Sequence, residues 1–103
     1  MNIAVRDQFQ QVGEVCGRYP VRRLAVFGSA VRDDFYPERS DIDFLVDFVP
    51  TSPAEHADAY FGLLAELEAL FGRRVDLVES AALRNPYRRR EIKATQVILH
   101  VAA

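Results

Sequence analysis

The sequence predicts an α/β domain of the α+β kind, with a small mixed sheet flanked by helices. Short apolar runs of strand length occur around residues 23–27, 41–48 and 74–78. Amphipathic segments with helical spacing lie before, between and after these runs, and glycine or proline stands near most boundaries. With 103 residues, the chain has room for one modest core. We therefore expect a single domain over residues 1–103.

The first half of the chain predicts a helix followed by two strands. Apolar side chains recur at helical spacing over the first twenty residues, and Gly17 and Pro20 end this helix. Residues 23–27 indicate a short buried strand, followed by a glycine–serine turn and a short helix from Ala30. Residues 41–48 carry hydrophobic side chains on both faces beyond the aspartates, which is typical of a central strand.

The second half predicts a helix, a strand and a last helix. The helix over residues 53–71 starts with a serine–proline pair and ends at Gly72. Residues 74–78 form the third strand, and residues 86–94 form the last helix. The apolar tail, residues 96–101, is expected to add a short strand or to pack at an interface.

Composition excludes several function classes. A formal net charge of −2 argues against broad, sequence-independent nucleic-acid binding. A single cysteine, Cys16, excludes an internal disulfide and a thiolate metal site. The sequence shows no secretion leader and no apolar run long enough to span a bilayer, so we expect a cytoplasmic protein without membrane contact.

The most informative motif places two aspartates two residues apart at the head of the second strand. Side chains on a strand alternate between faces, so Asp41 and Asp43 are expected to point the same way. Two neighbouring carboxylates repel each other unless a cation lies between them. Mg²⁺ takes one or two carboxylates together with substrate phosphates. The motif therefore predicts a metal site that handles phosphate, although an Asp-x-Asp pair alone is weak evidence.

A third carboxylate stands inside the apolar third strand. Burial of Asp76 without a partner would be costly. Arg73 or Arg74 could pair with it, or the strand could lie at a sheet edge. Alternatively, Asp76 lies beside Asp41 and Asp43 and completes a triad. In such a site the first two aspartates would hold two metal ions, and Asp76 would share one of them and help deprotonate the attacking hydroxyl.

The turn before the aspartates has the chemistry of a phosphate site. Gly28 lacks a Cβ and lets a phosphate approach its backbone, and Ser29 can donate from its hydroxyl and its N–H. Arg32 lies about one helical turn further on and could reach the same phosphates. A glycine–serine pair alone is more often a plain turn, so the combination with the aspartates carries the prediction.

These residues resemble a known family. The stretch GSAVRDDFYPERSDIDFLVDF, followed by RRVDLV, is similar to the minimal nucleotidyltransferases of the DNA polymerase β superfamily, the antitoxin subunits of HEPN/MNT toxin–antitoxin pairs. The resemblance covers nearly the whole chain, including the closing LRNPYRRREIKATQVILHV. One departure is visible, since eleven residues separate Ser29 from Asp41 where the family usually has ten.

The resemblance implies a polymerase β-like fold and an activity. It implies transfer of AMP from ATP, with two Mg²⁺ ions, onto a tyrosine of a partner HEPN toxin, an RNase that the modification silences. The implied nucleotide contacts include Ser40 besides Gly28, Ser29 and Arg32. The resemblance also implies that the protein forms a hetero-oligomer with the toxin. The alternative is an antitoxin that neutralises its partner by stoichiometric binding, without catalysis.

The basic residues of the last helix leave three possibilities open. Arg88, Arg89 and Arg90, together with Arg84, could contact phosphates or an acidic partner surface. A solvated helix face is an equally good interpretation of the same charges.

Overall fold

The computed structural model describes residues 3–31 and 41–102. It contains a mixed sheet, four α-helices and two short 3₁₀ turns, at Gly28–Ala30 and Ser80–Ala82. In chain order the helices and strands are α1 (Ile3–Asp7), α2 (Phe9–Cys16), β1 (Val21–Phe27), β2 (Ile42–Phe48), α3 (Pro53–Phe71), β3 (Val75–Glu79), α4 (Pro86–Thr95) and β4 (Val97–Val101).

The four described strands form one sheet in the order β3-β2-β1-β4. Strand β1 pairs antiparallel with both β2 and β4, whereas β2 and β3 run parallel. The predicted mixed sheet and the central position of β2 are therefore confirmed. The apolar tail adds the fourth strand at one edge, and β3 forms the other edge.

Most predicted elements are found, with shifted ends. The predicted first helix is instead two helices, because the chain turns at Gln8. Strand β1 starts two residues earlier than predicted, and β2 starts at Ile42 rather than at Asp41. The helix predicted from Ala30 lies largely outside the described residues.

Local capping chemistry explains the agreement for α3. The Ser52 Oγ accepts a hydrogen bond from the Glu55 N–H at 3.2 Å, and Pro53 occupies the first turn. The helix ends where Gly72 adopts φ +65, a left-handed conformation that glycine reaches without Cβ strain. Strong signals at both ends account for a helix that spans the predicted residues 53–71.

The two faces of the sheet are covered unequally. On one face, α2 and α3 pack on alternate β1 and β2 side chains, including Leu24 and Phe44, to form the main core. On the other, α4 buries Ile92 against Ala25 and Leu45. This second face, called the α4 face below, also carries Asp43. Ile92 is the buried residue of α4, and a pocket lies on each side of it.

Candidate active site

Asp43 and Asp76 lie side by side on neighbouring strands. They are register partners in the parallel β2–β3 pair, so their side chains project from the same face of the sheet. Asp43 is half-buried, whereas Asp76 is exposed. Of the two aspartates that the sequence placed beside Asp76, the strand register puts Asp43 there.

Asp76 is not buried, so the cost of an unpaired buried carboxylate does not arise. Its strand lies at the sheet edge, which was one of the open explanations, and the carboxylate reaches solvent. An exposed carboxylate needs no ion-pair partner to offset desolvation. The position of Asp76 beside Asp43, rather than any burial cost, therefore marks it as a candidate site residue.

Asp41 lies one residue before β2 and is exposed. The next residue, Ile42, donates its N–H to the Arg74 carbonyl at 3.2 Å, just before β3 begins. The starts of the two parallel strands are thus tied together, and Asp41 lies at the same end of the sheet as Asp43 and Asp76.

The carboxylates fit a hard divalent cation. Hard oxygen ligands suit Mg²⁺, which takes one or two protein carboxylates and completes its shell with phosphates and water. Over residues 3–31 and 41–102, no three His, Cys, Asp or Glu side chains are grouped closely enough to enclose a metal ion. The Asp43–Asp76 pair offers the two-carboxylate arrangement, and the ligand role of Asp41 stays a prediction.

Gly28 contacts the Asp43 carboxylate directly. Its φ of +72 lies in the left-handed region, and a Cβ added there would come 2.4 Å from Asp43 Oδ2. Glycine is required on both counts. The preceding residue, Phe27, is the register partner of Asp43 on β1, so strand pairing itself brings the turn to the aspartate.

Of the residues predicted to bind phosphate, the structure describes only Gly28 and Ser29. Ser29 is half-buried in the turn that follows Gly28, and the Val31 N–H closes this turn on the Gly28 carbonyl at 3.1 Å. Arg32 and Ser40, also predicted to contact the nucleotide, lie outside the described residues.

A cleft of about 210 Å³ lies between the aspartate end of β2 and α4. Its polar wall on the helix consists of Arg88, Glu91 and Thr95, which face Gly28 and Asp43. Residues 88, 91 and 95 share one helix face. From the sequence, Arg88 was one of four basic candidates with several possible roles, and Glu91 and Thr95 were not identified. Their position depends on which face of α4 meets the sheet, and one buried residue, Ile92, is too weak a signal to predict that face.

Tyr60 on α3 connects the helix to the strand that carries Asp76. Its hydroxyl donates to the Leu77 carbonyl at 2.7 Å. Burial, and then the negative charges of Asp76 and Glu79, raise the pKa of the Tyr60 phenol. The phenol therefore stays a hydrogen-bond donor at neutral pH and helps to hold β3 in place.

Comparison with known proteins identifies the family. Residues 10–99 match the nucleotidyltransferase domain family. The chain belongs to this family. The predicted family resemblance and the predicted fold are thereby confirmed.

Among its relatives is the protein adenylyltransferase MntA of Thermococcus cleftensis, which is 42% identical over 74 residues, covering 70% of this chain and 69% of the relative. A Methanocaldococcus jannaschii protein, provisionally named a protein adenylyltransferase, is 40% identical over 76 residues, or 74% of each chain.

Solved structures share the fold. One that is provisionally described as a minimal nucleotidyltransferase has a TM-score of 0.72 at 32% identity and covers 94% of this chain and 95% of its own. A toxin–antitoxin crystal structure with AMP-PNP has a TM-score of 0.69 at 18% identity, covering 91% and 73%. At that lower identity the likeness concerns the fold.

Within the described ranges, none of the helices is sufficiently long and apolar to cross a membrane.

Proposed function

We propose that this protein is an antitoxin that transfers AMP from ATP to a tyrosine hydroxyl of a cognate HEPN toxin. The observation that carries the proposal is the Asp43–Asp76 register pair, with the left-handed turn of Gly28 against one carboxylate. Family membership supports a transferase. A relative 42% identical is named protein adenylyltransferase MntA, and a solved neighbour is a tri-AMPylated Shewanella oneidensis HEPN toxin in complex with MNT antitoxin.

Each residue near the pair has a chemical task in this proposal. The backbone at Gly28 and the hydroxyl of Ser29 bind the triphosphate, together with Arg32 and Ser40. Arg88 neutralises phosphate charge from the opposite wall of the cleft.

The exposed Asp76 accepts the proton of the attacking tyrosine hydroxyl. The tyrosine oxygen forms a bond to the α-phosphorus, the bond from that phosphorus to the bridging oxygen breaks, and pyrophosphate leaves.

Two Mg²⁺ ions belong to the proposal as cofactors. Asp41, Asp43 and Asp76 would hold them, since carboxylate oxygens are the ligands that Mg²⁺ prefers. When bound, the metal ions supply charge stabilisation for the entering and leaving oxygens. We also propose that residues 1–103 form one domain. The proposed location is the cytoplasm, where ATP is available.

A second candidate function is neutralisation by binding alone. The edge strand β4 exposes Ile98 and Val101, and α4 exposes Tyr87 at 77%. Exposed apolar side chains of this kind suit contact with a partner chain. In this alternative the toxin is held in a hetero-oligomer and stays unmodified.

The deciding experiment measures the mass of the partner. The protein is incubated with ATP, Mg²⁺ and the product of the neighbouring gene. From the family resemblance, we expect this product to be a small helical protein with an Arg-x4-His-x-Tyr motif. A gain of one or more AMP units with the wild type, absent with Asp43→Asn, supports the transferase. An unchanged partner mass in a stable complex supports the binding function instead.

A further inference from the structure

A second pocket lies on the α4 face, on the other side of Ile92 from the aspartate cleft. It measures about 190 Å³, and its apolar floor consists of Leu45, Leu83 and Ile92. Its polar wall comes from the two central strands, the turn after β3, and α4: Arg23, Asp47, Ser80, Arg89 and Lys93. We call this the basic pocket.

The basic pocket concentrates positive charge in a chain whose formal net charge is −2. Three of its five polar side chains are cations, and Asp47 is its one carboxylate. That carboxylate is already engaged, because Arg23 Nε lies 3.6 Å from Asp47 Oδ2. Because Arg23 offsets the charge of Asp47, Arg89 and Lys93 leave the described lining of the pocket with a net positive charge.

A buried hydroxyl points to a missing hydrogen-bond partner. The Ser80 Oγ is shielded from solvent and has no hydrogen bond within the part of the chain that the structure describes. Leaving a buried donor unpaired costs about 1–3 kcal/mol, so such groups usually have a partner. Ser80 is one of the residues that line the basic pocket, and a rotation about its χ1 angle would let the hydroxyl donate to a ligand oxygen there.

From the cations, the unpaired hydroxyl and the size, we propose that the basic pocket binds a phosphate group, separate from the nucleotide cleft. Arginine forks and a hydroxyl donor match the several acceptor oxygens of a phosphate, and Lys93 adds a point charge. At about 190 Å³ the pocket has room for such an anionic group. Binding here does not depend on the transferase activity.

The position of the pocket suggests which phosphates reach it. Leu45 lies two residues along β2 from Asp43, roughly 6–7 Å at the rise of a strand. A phosphate in the basic pocket is therefore a neighbour of the proposed transfer site. It comes either from free phosphate or from a nucleoside monophosphate, and the chemistry at the pocket is the same for both.

NMR titration of the full chain tests the proposal in the absence of divalent metal. Inorganic phosphate and AMP are added separately, and the Nε–Hε signals of arginine side chains are followed. Saturable shifts at Arg23 and Arg89 are expected in at least one titration, and tighter binding of AMP would identify the nucleotide as the source. Shifts at Arg88 instead, or the same unsaturated drift at every arginine, would overturn the proposal.

Variants separate binding from folding. Ser80→Ala and Arg89→Ala are each expected to weaken phosphate binding at least fivefold, whereas Arg90→Ala, an exposed neighbour outside the pocket, changes it less than twofold. Ser80→Ala should not lower the unfolding midpoint and should tend to raise it, because it removes a buried unpaired hydroxyl rather than a hydrogen bond. Equal weakening by Arg90→Ala, or no weakening by Ser80→Ala, contradicts a phosphate site in this pocket.

Discussion

Gly28 and Asp43 are packed so closely that position 28 has no room for a side chain. A Cβ there would meet Asp43 Oδ2 at 2.4 Å and the carboxyl carbon at 3.3 Å. The turn that leaves β1 and the carboxylate on β2 therefore form one unit. The proposed phosphate cradle and the proposed metal ligand are positioned against each other, and moving one must move the other.

Gly28→Ala is expected to lower AMP transfer at least tenfold. The substitution adds the strain of φ +72, about 1–2 kcal/mol for a residue with a Cβ, and also displaces the Asp43 carboxylate. Gly72→Ala is the matched control, because Gly72 has φ +65 but a Cβ there meets nothing within 4 Å. Both variants lose stability in urea unfolding, and transfer falls only in the first. Equal transfer by the two variants would contradict the coupling.

Asp43→Asn and Asp76→Asn are each expected to reduce AMP transfer by about 100-fold or more, since metal-based charge stabilisation is worth several kcal/mol. Asparagine keeps the shape of the side chain, so the unfolding midpoint should change little. Asp47→Asn, on the same face of β2, is the control and should keep transfer within about threefold. Labelled AMP on the partner gives the rates, and full transfer by Asp76→Asn would remove that residue from the mechanism.

Local signals made much of this fold predictable. Ser52, Pro53 and Gly72 mark the ends of α3 chemically, and the predicted residues 53–71 are those observed. The exposure of Asp76 was not predictable in this way, because strand order decides it. An apolar run such as residues 75–78 has the same pattern at the edge and at the centre of a sheet. That β3 pairs only with β2 among the described strands is decided by the tertiary fold.

In the candidate site, too, the features set by local sequence were predictable, and those set by tertiary packing were not. The turn at Gly28 and the aspartates could be proposed from the sequence, because each lies within or next to a strand. The alternation of side chains between strand faces is visible in a short stretch of sequence. The wall formed by Arg88, Glu91 and Thr95 depends on which face of α4 meets the sheet. A helix with a single buried residue, Ile92, has too weak an apolar stripe to settle that orientation from the sequence.

Arg88→Ala is expected to raise the KM for ATP about tenfold, the equivalent of about 1.4 kcal/mol, with a smaller change in kcat. Arg88 lines the cleft beside Asp43, whereas Arg90 on the same helix lines neither this cleft nor the basic pocket. Arg90→Ala should therefore leave the KM for ATP within about twofold, and Arg88→Lys should recover part of the loss. The same KM for ATP in Arg88→Ala and the wild type would exclude the arginine from the nucleotide site.

Tyr60→Phe is expected to lower the free energy of unfolding by about 1 kcal/mol, because it removes the hydrogen bond to the Leu77 carbonyl. Tyr87→Phe removes a hydroxyl from a side chain that is 77% exposed and should change stability by less than about 0.5 kcal/mol. Chemical unfolding of both variants gives the comparison. Equal stability of the two would mean that the Tyr60 hydroxyl contributes nothing to holding β3.

Glu66 should make part of the stability dependent on pH. Arg18 and Tyr19 both hydrogen-bond to its carboxylate, and these contacts hold the pKa of Glu66 below its ordinary value of 4.5. A carboxyl whose pKa is lowered on folding stabilises the protein above its unfolded-state pKa and loses that effect as pH falls through the folded-state value. Glu66→Gln should therefore be less stable than the wild type at pH 7, and the difference should shrink below about pH 4.5.

Urea unfolding midpoints across this range provide the measurement, with the exposed Glu14→Gln on α2 as the control. If the stability difference between Glu66→Gln and the wild type stayed constant below about pH 4.5, the carboxylate charge would not be what links α3 to the turn after α2.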